Sequence, residues 1–239
     1  MNLPRTPSFR LEGRRALVTG GTRGIGLGAS VALAEAGAHV TVAARTAADV
    51  EAVVNAMAVA GLAAEGVAID ITDFSAVREF VAECEPFQIL VNSAGTARHS
   101  AFADIAEPDY QAVMQINLAA TVFVSQAVVA RLQAAGQGGS IINVSSQMGH
   151  VGGPSRAVYA ASKHAVEGLT KAMAIELGAS NIRVNTVCPT FIETELTARN
   201  LSDPDFRAWV LSKIKLGRLG RVEDIMGPVV FLASDAAAL

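Results

Sequence analysis

Residues 15–26 have the sequence RALVTGGTRGIG, a short, mostly apolar run that leads directly into four glycines within seven positions. The run Arg15–Thr19 predicts a buried β-strand, and the apolar segment after Gly26 predicts a helix. A strand, a glycine turn and a helix N-terminus suit a dinucleotide pyrophosphate, because glycines admit close backbone approach and the first helical turn has free N–H groups. The spacing is Gly20-xxx-Gly24-x-Gly26 rather than G-x-G-x-x-G, so an ordinary turn is the alternative for this loop alone.

Outside this stretch, short apolar runs alternate with longer helical segments. Strands are predicted at Arg15–Thr19, Val40–Ala44, Gly66–Ile69, Ile89–Asn92, Ser140–Ser145 and Arg183–Cys188, and helices near 25–36, 46–60, 73–83, 107–135 and 156–178. This alternation predicts one α/β domain over 1–239, a doubly wound Rossmann-type fold with a central parallel sheet and helices on both faces. Thr72 is the predicted cap of the third helix. Residues 1–11 are expected to be a loose N-terminal arm, and 190–216 a substrate-binding loop and helix segment.

The composition argues against several classes of protein. Hydrophobic residues make up 51% of the chain and charged residues 17%. The net charge is −3 and the sequence has no cluster of basic residues, so we expect no nucleic-acid partner. Cys84 and Cys188 lie far apart and the four histidines do not pair at ligand spacing, so we expect neither disulfides nor a metal. No uninterrupted apolar run reaches about 18 residues and no secretory signal is present. We therefore expect a soluble cytoplasmic protein with no membrane partner.

A second motif, Tyr159-Ala160-Ala161-Ser162-Lys163, lies near the start of a predicted helix. Residues i and i+4 share a helix face, and an ammonium beside a phenol stabilises the phenolate and lowers its pKa. Tyr159 then becomes a usable general acid and base near neutral pH. Ser146 follows a predicted strand, at the sheet edge where ligands of open α/β sheets bind, while Ser145 is expected to point the opposite way. The alternative is an accidental surface pair.

Other short motifs follow the remaining strands. The set comprises Thr19-Gly20-xxx-Gly24-x-Gly26, Asp70, Asn92-Ser93-Ala94-Gly95, Asn117, Ser146, Tyr159-xxx-Lys163 and Pro189-Thr190-Phe191-Ile192-Glu193-Thr194. In this order and at this spacing, the motifs resemble the short-chain dehydrogenase/reductase family along nearly the whole chain. The resemblance implies an oxidoreductase that moves a hydride between a nicotinamide cofactor and a carbonyl/alcohol pair.

The resemblance also implies roles for individual residues. Tyr159 would donate the proton in reduction and accept it in oxidation. Lys163 would bind the nicotinamide ribose and lower the pKa of Tyr159, Ser146 would polarise the carbonyl, and Asn117 would hold a relay water. The residues implied in cofactor binding are Gly20, Thr22, Arg23, Gly24, Ile25, Gly26, Arg45, Asp70, Ile71, Asn92, Ala94, Gly95, Tyr159, Lys163, Pro189, Ile192 and Thr194.

The chain departs from the family pattern at three places. Ser93 stands where a second Asn is usual, and Thr190 where Gly usually follows Pro189, which narrows the space beside the nicotinamide. The sequence also stops at Leu239, where the family usually continues by about 15 residues with a last strand. Either the sequence is truncated or that strand is absent.

The second predicted strand indicates the cofactor. An acidic residue at its end would bind both ribose hydroxyls and favour NAD(H), whereas basic residues suit the 2′-phosphate of NADP(H). Here Ala44 occupies the acidic position, Arg45 follows it, and Arg23 lies in the glycine loop. We therefore predict NADP(H), with NAD(H) and two merely solvated arginines as the alternative.

Several questions stay open on the sequence alone. A non-catalytic dinucleotide-binding regulatory protein on the same fold is the alternative function. The substrate is a small carbonyl or alcohol compound: a ketone, a 3-oxoacyl thioester or a keto-sugar acid. Candidate pocket residues are Gln147, His150, Arg156 and Trp209. Arg156 suits an anionic group, or else flanks the helix that follows. The family usually pairs subunits through the long helices, so we expect a homotetramer, or a dimer.

Overall fold

A computed structural model describes residues 1–238, with Arg199 described by its backbone alone. Six parallel strands form one sheet in the order β3-β2-β1-β4-β5-β6. The strands are β1 (Arg15–Thr19), β2 (His39–Ala44), β3 (Ala64–Ala68), β4 (Ile89–Asn92), β5 (Gly139–Val144) and β6 (Ile182–Val187). This order reverses direction between β1 and β4, as in the doubly wound dinucleotide-binding fold. The predicted fold class is confirmed.

Helices cover both faces of the sheet. They are α1 (Gly24–Glu35), α2 (Ala47–Val59), α3 (Phe74–Glu83), α4 (Glu107–Met114), α5 (Ala120–Ala134), α6 (Ala157–Leu177), α7 (Glu195–Leu201), α8 (Pro204–Lys213) and α9 (Glu223–Ala233). Asp73, not Thr72, caps α3, because its carboxylate accepts the backbone N–H groups of Ser75 and Ala76. The Thr72 hydroxyl donates to Asp70 instead.

The core consists of two layers that the sheet separates. Successive residues of a strand point to opposite faces, so Val18 of β1 joins the layer under α1 and α9. Leu17 joins the other layer, together with residues of α3, α5 and α6. Because helices cover both faces, both sets of side chains are buried, which explains why β1 has no apolar–polar alternation.

The N-terminal arm is one residue shorter than predicted. Residues 1–10 are exposed and form no helix or strand. Leu11 is fully buried, and its backbone N–H donates to the carbonyl of Ala36 at 2.8 Å. The boundary at residue 11 was therefore wrong, because an apolar side chain there completes the layer under α1.

The stretch predicted as one helix over 107–135 contains a π-helical turn at Gln115–Ala119, between α4 and α5. π-Turns insert an extra residue and often occur at functional sites. Among residues 1–238, Glu107–Ala134 is the one helical stretch long and apolar enough to cross a membrane by length and composition alone. It packs on α3 and β4, and 44% of its most apolar part is buried, as in a core helix of this fold.

Candidate active site

The glycine turn lies at the point where the sheet order reverses. Gly20 has a φ of +65°, and a Cβ there would lie 2.8 Å from the Cα of Ala94, which follows β4. A Cβ on Gly26 would lie 2.1 Å from the carbonyl oxygen of Gly20. Only glycine fits at either position, so the turn presents bare backbone and the α1 N-terminus. This cradle suits a pyrophosphate, as the sequence predicted.

The loop after β6 contacts the same turn. A Cβ on Gly24 would meet Thr194 Cγ2 at 3.3 Å. Thr194 caps α7 through a reciprocal arrangement with Thr197, and Ile192 pairs with Gly220 in an isolated bridge. The fold therefore brings together Gly24, Ile192 and Thr194, which are far apart in the sequence and were all predicted to bind the cofactor.

Asn92 has a role in the protein scaffold. Its Nδ2 donates to Ser125 Oγ at 2.9 Å and to Asn143 Oδ1 at 2.8 Å, and the side chain is buried. Its amide is turned toward α5 and β5 and holds the strand ends together, while its role in cofactor binding stays a prediction. Ser93 stands where the family usually has a second Asn. It contacts β1 through its backbone N–H, which donates to Thr19 Oγ1 at 3.2 Å.

The two basic residues of the predicted phosphate site are both exposed. Arg23 Nη1 lies 3.1 Å from Glu195 Oε2, so a carboxylate at the start of α7 already holds this guanidinium. Arg45 directly follows β2. The pKa of Asp70 is lowered, first by the hydrogen bond from the Thr72 backbone and to a smaller extent by the charge of Arg45. Ile71 is half-buried beside it.

The proposed reacting groups meet between β5 and α6. Ser146 lies two residues beyond the end of β5 and Tyr159 lies in the first turn of α6, and both line one cleft. Lys163 Nζ is 5.8 Å from the centroid of the Tyr159 ring and donates to the Val144 carbonyl at 2.8 Å. The three residues are therefore brought together, although the ammonium contacts backbone rather than the phenol oxygen.

The predicted lowering of the Tyr159 pKa is wrong for the protein alone. Burial raises the pKa of Tyr159, and a hydrogen bond with Ser146 and the charge of Arg156 only partly oppose this. Burial also lowers the pKa of Lys163 from 10.5 to about 8, while Cys188 and Glu167 oppose the shift. Taking both groups out of water disfavours their charged forms, an effect that spacing along a helix does not show.

Asn117 lies in the π-turn and is buried. Its Oδ1 accepts the backbone N–H of Thr96 at 2.8 Å, and its Nδ2 donates to Thr96 O at 3.0 Å and Ser162 Oγ at 3.1 Å. The side chain thus ties the loop after β4 to α6, close to Lys163. Its role in holding a relay water stays a prediction.

The cleft in front of Ser146 and Tyr159 encloses about 520 Å³ of space that includes open solvent. Of the four candidate pocket residues, Gln147 and Arg156 line it and His150 and Trp209 do not. Trp209 instead stacks on Phe206 with ring centroids 5.8 Å apart. Most of the other lining residues lie in the loop after Ser146 or in the segment 190–216 that was predicted to bind substrate, namely Met148, Thr190, Phe191, Leu196, Thr197 and Asn200; sequence reasoning missed Ala97 and His99. The position of His99 in the cleft could have been predicted, because His99 lies in the loop that follows the carboxyl end of β4.

Arg156 is the positive charge of this cleft. Its Nη1 donates to His99 Nε2 at 3.0 Å, and its guanidinium lies 5.7 Å and 5.8 Å from the ring centroids of Phe191 and Phe206. Burial lowers the pKa of Arg156; burial followed by the charge of Arg156 lowers the pKa of His99, which keeps that imidazole a neutral acceptor. Within the described part of the chain, no carboxylate forms an ion pair with this guanidinium.

Comparisons with known proteins identify the family. The family model described as short chain dehydrogenase matches residues 14–205. D-erythrulose reductase of Gallus gallus is 40% identical over 98% of this chain and 93% of its own. Gluconate 5-dehydrogenase of Gluconobacter oxydans (strain 621H) is 37% identical over 96% of this chain and 91% of its own.

A solved structure agrees in fold. The gluconate 5-dehydrogenase from Burkholderia cenocepacia J2315, in complex with NADP and tartrate, is 37% identical and superposes with a TM-score of 0.92, covering 96% of this chain and 91% of that one. Fold and site together define an oxidoreductase of the nicotinamide-dependent class, which interconverts carbonyl and alcohol groups. The chain belongs to the short-chain dehydrogenase/reductase family.

Proposed function

We propose that the protein uses NADP(H) to interconvert a small polyhydroxylated keto acid and its alcohol. The observation that carries the substrate class is the guanidinium of Arg156, which lies in the same cleft as Ser146 and Tyr159 and forms no ion pair with a carboxylate of the described residues. A half-buried guanidinium without a carboxylate partner favours an anionic ligand, which it can bind through two parallel hydrogen bonds.

The reacting residues divide the proton chemistry among them. When bound, the nicotinamide supplies or accepts the hydride. The Tyr159 hydroxyl donates its proton to the substrate oxygen in reduction and accepts it in oxidation. Ser146 donates a hydrogen bond to the same oxygen, and Ser146 Oγ already accepts the backbone N–H of Met148 at 3.1 Å, which fixes its position. With the cofactor bound, Lys163 would hold the ribose hydroxyls, and its positive charge would then oppose the rise in the Tyr159 pKa that burial causes.

NADP(H) is favoured over NAD(H) by the end of β2. Ala44 offers no carboxylate to the ribose hydroxyls, and Arg45 and Arg23 are both exposed. A phosphate dianion forms charge-assisted hydrogen bonds with guanidinium groups, and it competes with Glu195 for Arg23. The Burkholderia cenocepacia relative binds NADP, in agreement with this assignment.

The relatives suggest a second candidate substrate, a neutral ketose. D-erythrulose reductase acts on a neutral ketose, whereas the gluconate dehydrogenases act on a sugar acid, and one of them binds tartrate in its crystal. A neutral ketose uses Ser146, Tyr159 and the polar groups of Gln147 and Asn200 but has no need of Arg156. The charge of the substrate therefore separates the two candidates.

The test compares a keto-gluconate with a neutral ketose of similar size in the wild type and in Arg156→Gln. A charge-assisted hydrogen bond contributes about 1.5–3 kcal/mol, so kcat/KM for the acid falls about 10- to 100-fold, while the neutral ketose changes little. Arg98→Gln is the matched control, because Arg98 is exposed and does not line the cleft. Equal losses for both substrates would contradict an anionic substrate and favour the neutral ketose. The absence of NADPH turnover with every carbonyl substrate would favour the non-catalytic regulatory protein.

We also propose a homotetramer, or a dimer, in the cytoplasm. Tyr110 on α4 and Ile175 on α6 are 47% and 85% exposed, and such apolar surface on the long helices is suited to a second copy of the chain. Light scattering tests the assembly, and a mass of 24.7 kDa at micromolar concentration would contradict it. Cell fractionation tests the location.

A further inference from the structure

Three side chains with no role in the proposed reaction meet behind the active site. His150 lies in the segment between β5 and α6, Glu167 lies on α6 one turn after Lys163, and Cys188 directly follows β6. The ligand atoms of the three lie within 4.8 Å of one another. The carboxylate of Glu167 is 8% exposed, while the imidazole of His150 is 52% exposed, so the cluster joins the interior to solvent.

The distances between the three side chains are close to those between ligands of a small metal ion. His150 Nε2 lies 3.4 Å from Cys188 Sγ and 3.7 Å from Glu167 Oε2, and Cys188 Sγ lies 3.2 Å from Glu167 Oε1. Zinc binds nitrogen and oxygen at about 2.0–2.2 Å and sulfur at about 2.3 Å, which in a tetrahedral site separates adjacent ligand atoms by about 3.3–3.6 Å. His150 and Cys188 contact different oxygens of Glu167, so the carboxylate has to turn for one of its oxygens to bind the ion together with them.

The surroundings supply a further donor. Ser145 Oγ is buried beside the cluster. Burial acts to raise the pKa of Glu167, and hydrogen bonds, first the one from Ser145, more than offset it. Gly149 lies against the cluster, since a Cβ there would be 2.9 Å from both Ser145 Oγ and Glu167 Cγ. The Ser145 hydroxyl therefore helps to orient the carboxylate that would bind the ion.

We propose that His150, Glu167 and Cys188 form a Zn²⁺ site whose fourth position is a water. Imidazole, carboxylate and thiolate form the mixed N, O and S donor set that zinc accepts. Cys188 Sγ–H donates to Glu167 in the structure, and this proton passes to solvent when the sulfur binds the ion. The two anionic ligands then balance the dication, so the occupied site is neutral overall.

The ion would join three segments that carry the reacting groups. His150 belongs to the segment between Ser146 and Tyr159, Glu167 to the helix that holds Lys163, and Cys188 precedes Pro189 of the cofactor loop. Binding to the folded state alone raises the free energy of unfolding. Bound zinc would therefore stabilise the active-site loops, and the resulting rise in the free energy of unfolding can be measured without substrate or cofactor.

The experiment uses the full chain, stripped with a chelator and titrated with Co²⁺ as a spectroscopic probe for Zn²⁺. We expect one equivalent per chain, a thiolate-to-cobalt charge-transfer band, displacement by Zn²⁺ and a rise in Tm with Zn²⁺. Cys188→Ser should abolish the band, and His150→Ala should weaken binding at least about tenfold, since single-ligand and supporting-shell losses have effects of this size. His150 is half-exposed, so this variant keeps the fold if Cys188→Ser does not.

The matched controls are Cys84→Ser, the other free cysteine, and His164→Ala, an exposed histidine on α6. Both should keep the band and the affinity of the wild type. The proposal is overturned if the wild type shows no charge-transfer band, if the band survives in Cys188→Ser, or if His150→Ala binds Co²⁺ as the wild type does.

Discussion

Replacing the buried lysine by methionine should make the protein more stable while it abolishes turnover. Lys163 is 6% exposed, and burial lowers its pKa from 10.5 to about 8. At about 1.4 kcal/mol per pKa unit, holding this charged ammonium in the fold costs about 3 kcal/mol at neutral pH. Methionine is unbranched and fills irregular space, but the substitution loses the hydrogen bond to Val144, worth about 1 kcal/mol. We therefore expect Lys163→Met to unfold with a free energy about 2 kcal/mol higher at neutral pH.

The sign of the pH dependence gives a second check. Between a folded pKa of about 8 and an unfolded pKa of 10.5, the unfolded chain binds one more proton than the folded chain at Lys163, so the stability of the wild type rises with pH. The penalty is fully present below the folded pKa and disappears above the unfolded one. The advantage of Lys163→Met should therefore be largest at neutral pH and shrink steadily toward pH 10.5.

The assay is urea unfolding without cofactor, with a chelator present and at one protein concentration, at pH values of about 6.5 and about 10. Lys171→Met, at an exposed position of α6, is the control and should change stability by no more than about 0.5 kcal/mol. The reasoning would be refuted if Lys163→Met were less stable than the wild type at the lower pH, or if its gain in the free energy of unfolding did not depend on pH.

Three further outcomes are expected. Tyr159→Phe should lower kcat by about 10²–10⁴-fold, because only the proton donor is lost, while NADPH fluorescence shows that cofactor still binds; near-normal kcat would contradict the mechanism. Gly26→Ala should abolish NADPH binding, since its Cβ would lie 2.1 Å from Gly20 O, and unchanged affinity would exclude the cradle. Ala44→Asp with Arg45→Ser should reverse a preference for NADPH over NADH in kcat/KM, because a carboxylate then replaces the phosphate partner; a wild type that prefers NADH would contradict the assignment.

Local sequence patterns predicted most of the fold. The apolar runs predicted all six strands to within two residues at each end. Four of the strands, β1, β2, β4 and β5, are buried on both faces, which leaves little choice of side chain. The π-turn at Gln115–Ala119 escaped prediction, since its residues suit an α-helix equally well. The arm boundary at Leu11 was wrong because one apolar residue after two prolines gives no periodic signal.

The residues that line the cleft were harder to predict from local patterns. Gln147 and His150 are three residues apart and both were candidates, yet only Gln147 lines the cleft. The turn after β5 rotates His150 toward Cys188 instead, at 3.4 Å. Trp209 is likewise held by Phe206, outside the cleft.

By itself, the sequence determined the parallel sheet, the glycine cradle and the family and proposed the reacting groups, because each depends on residues close together in the chain or at a strand end. Only the tertiary structure decided the shifted pKa values of Tyr159 and Lys163, the placement of Arg156 against His99, and the cluster behind the active site. Burial depends on the whole fold, and contacts between residues about 20 or more positions apart are made by crossover connections whose packing no local pattern encodes.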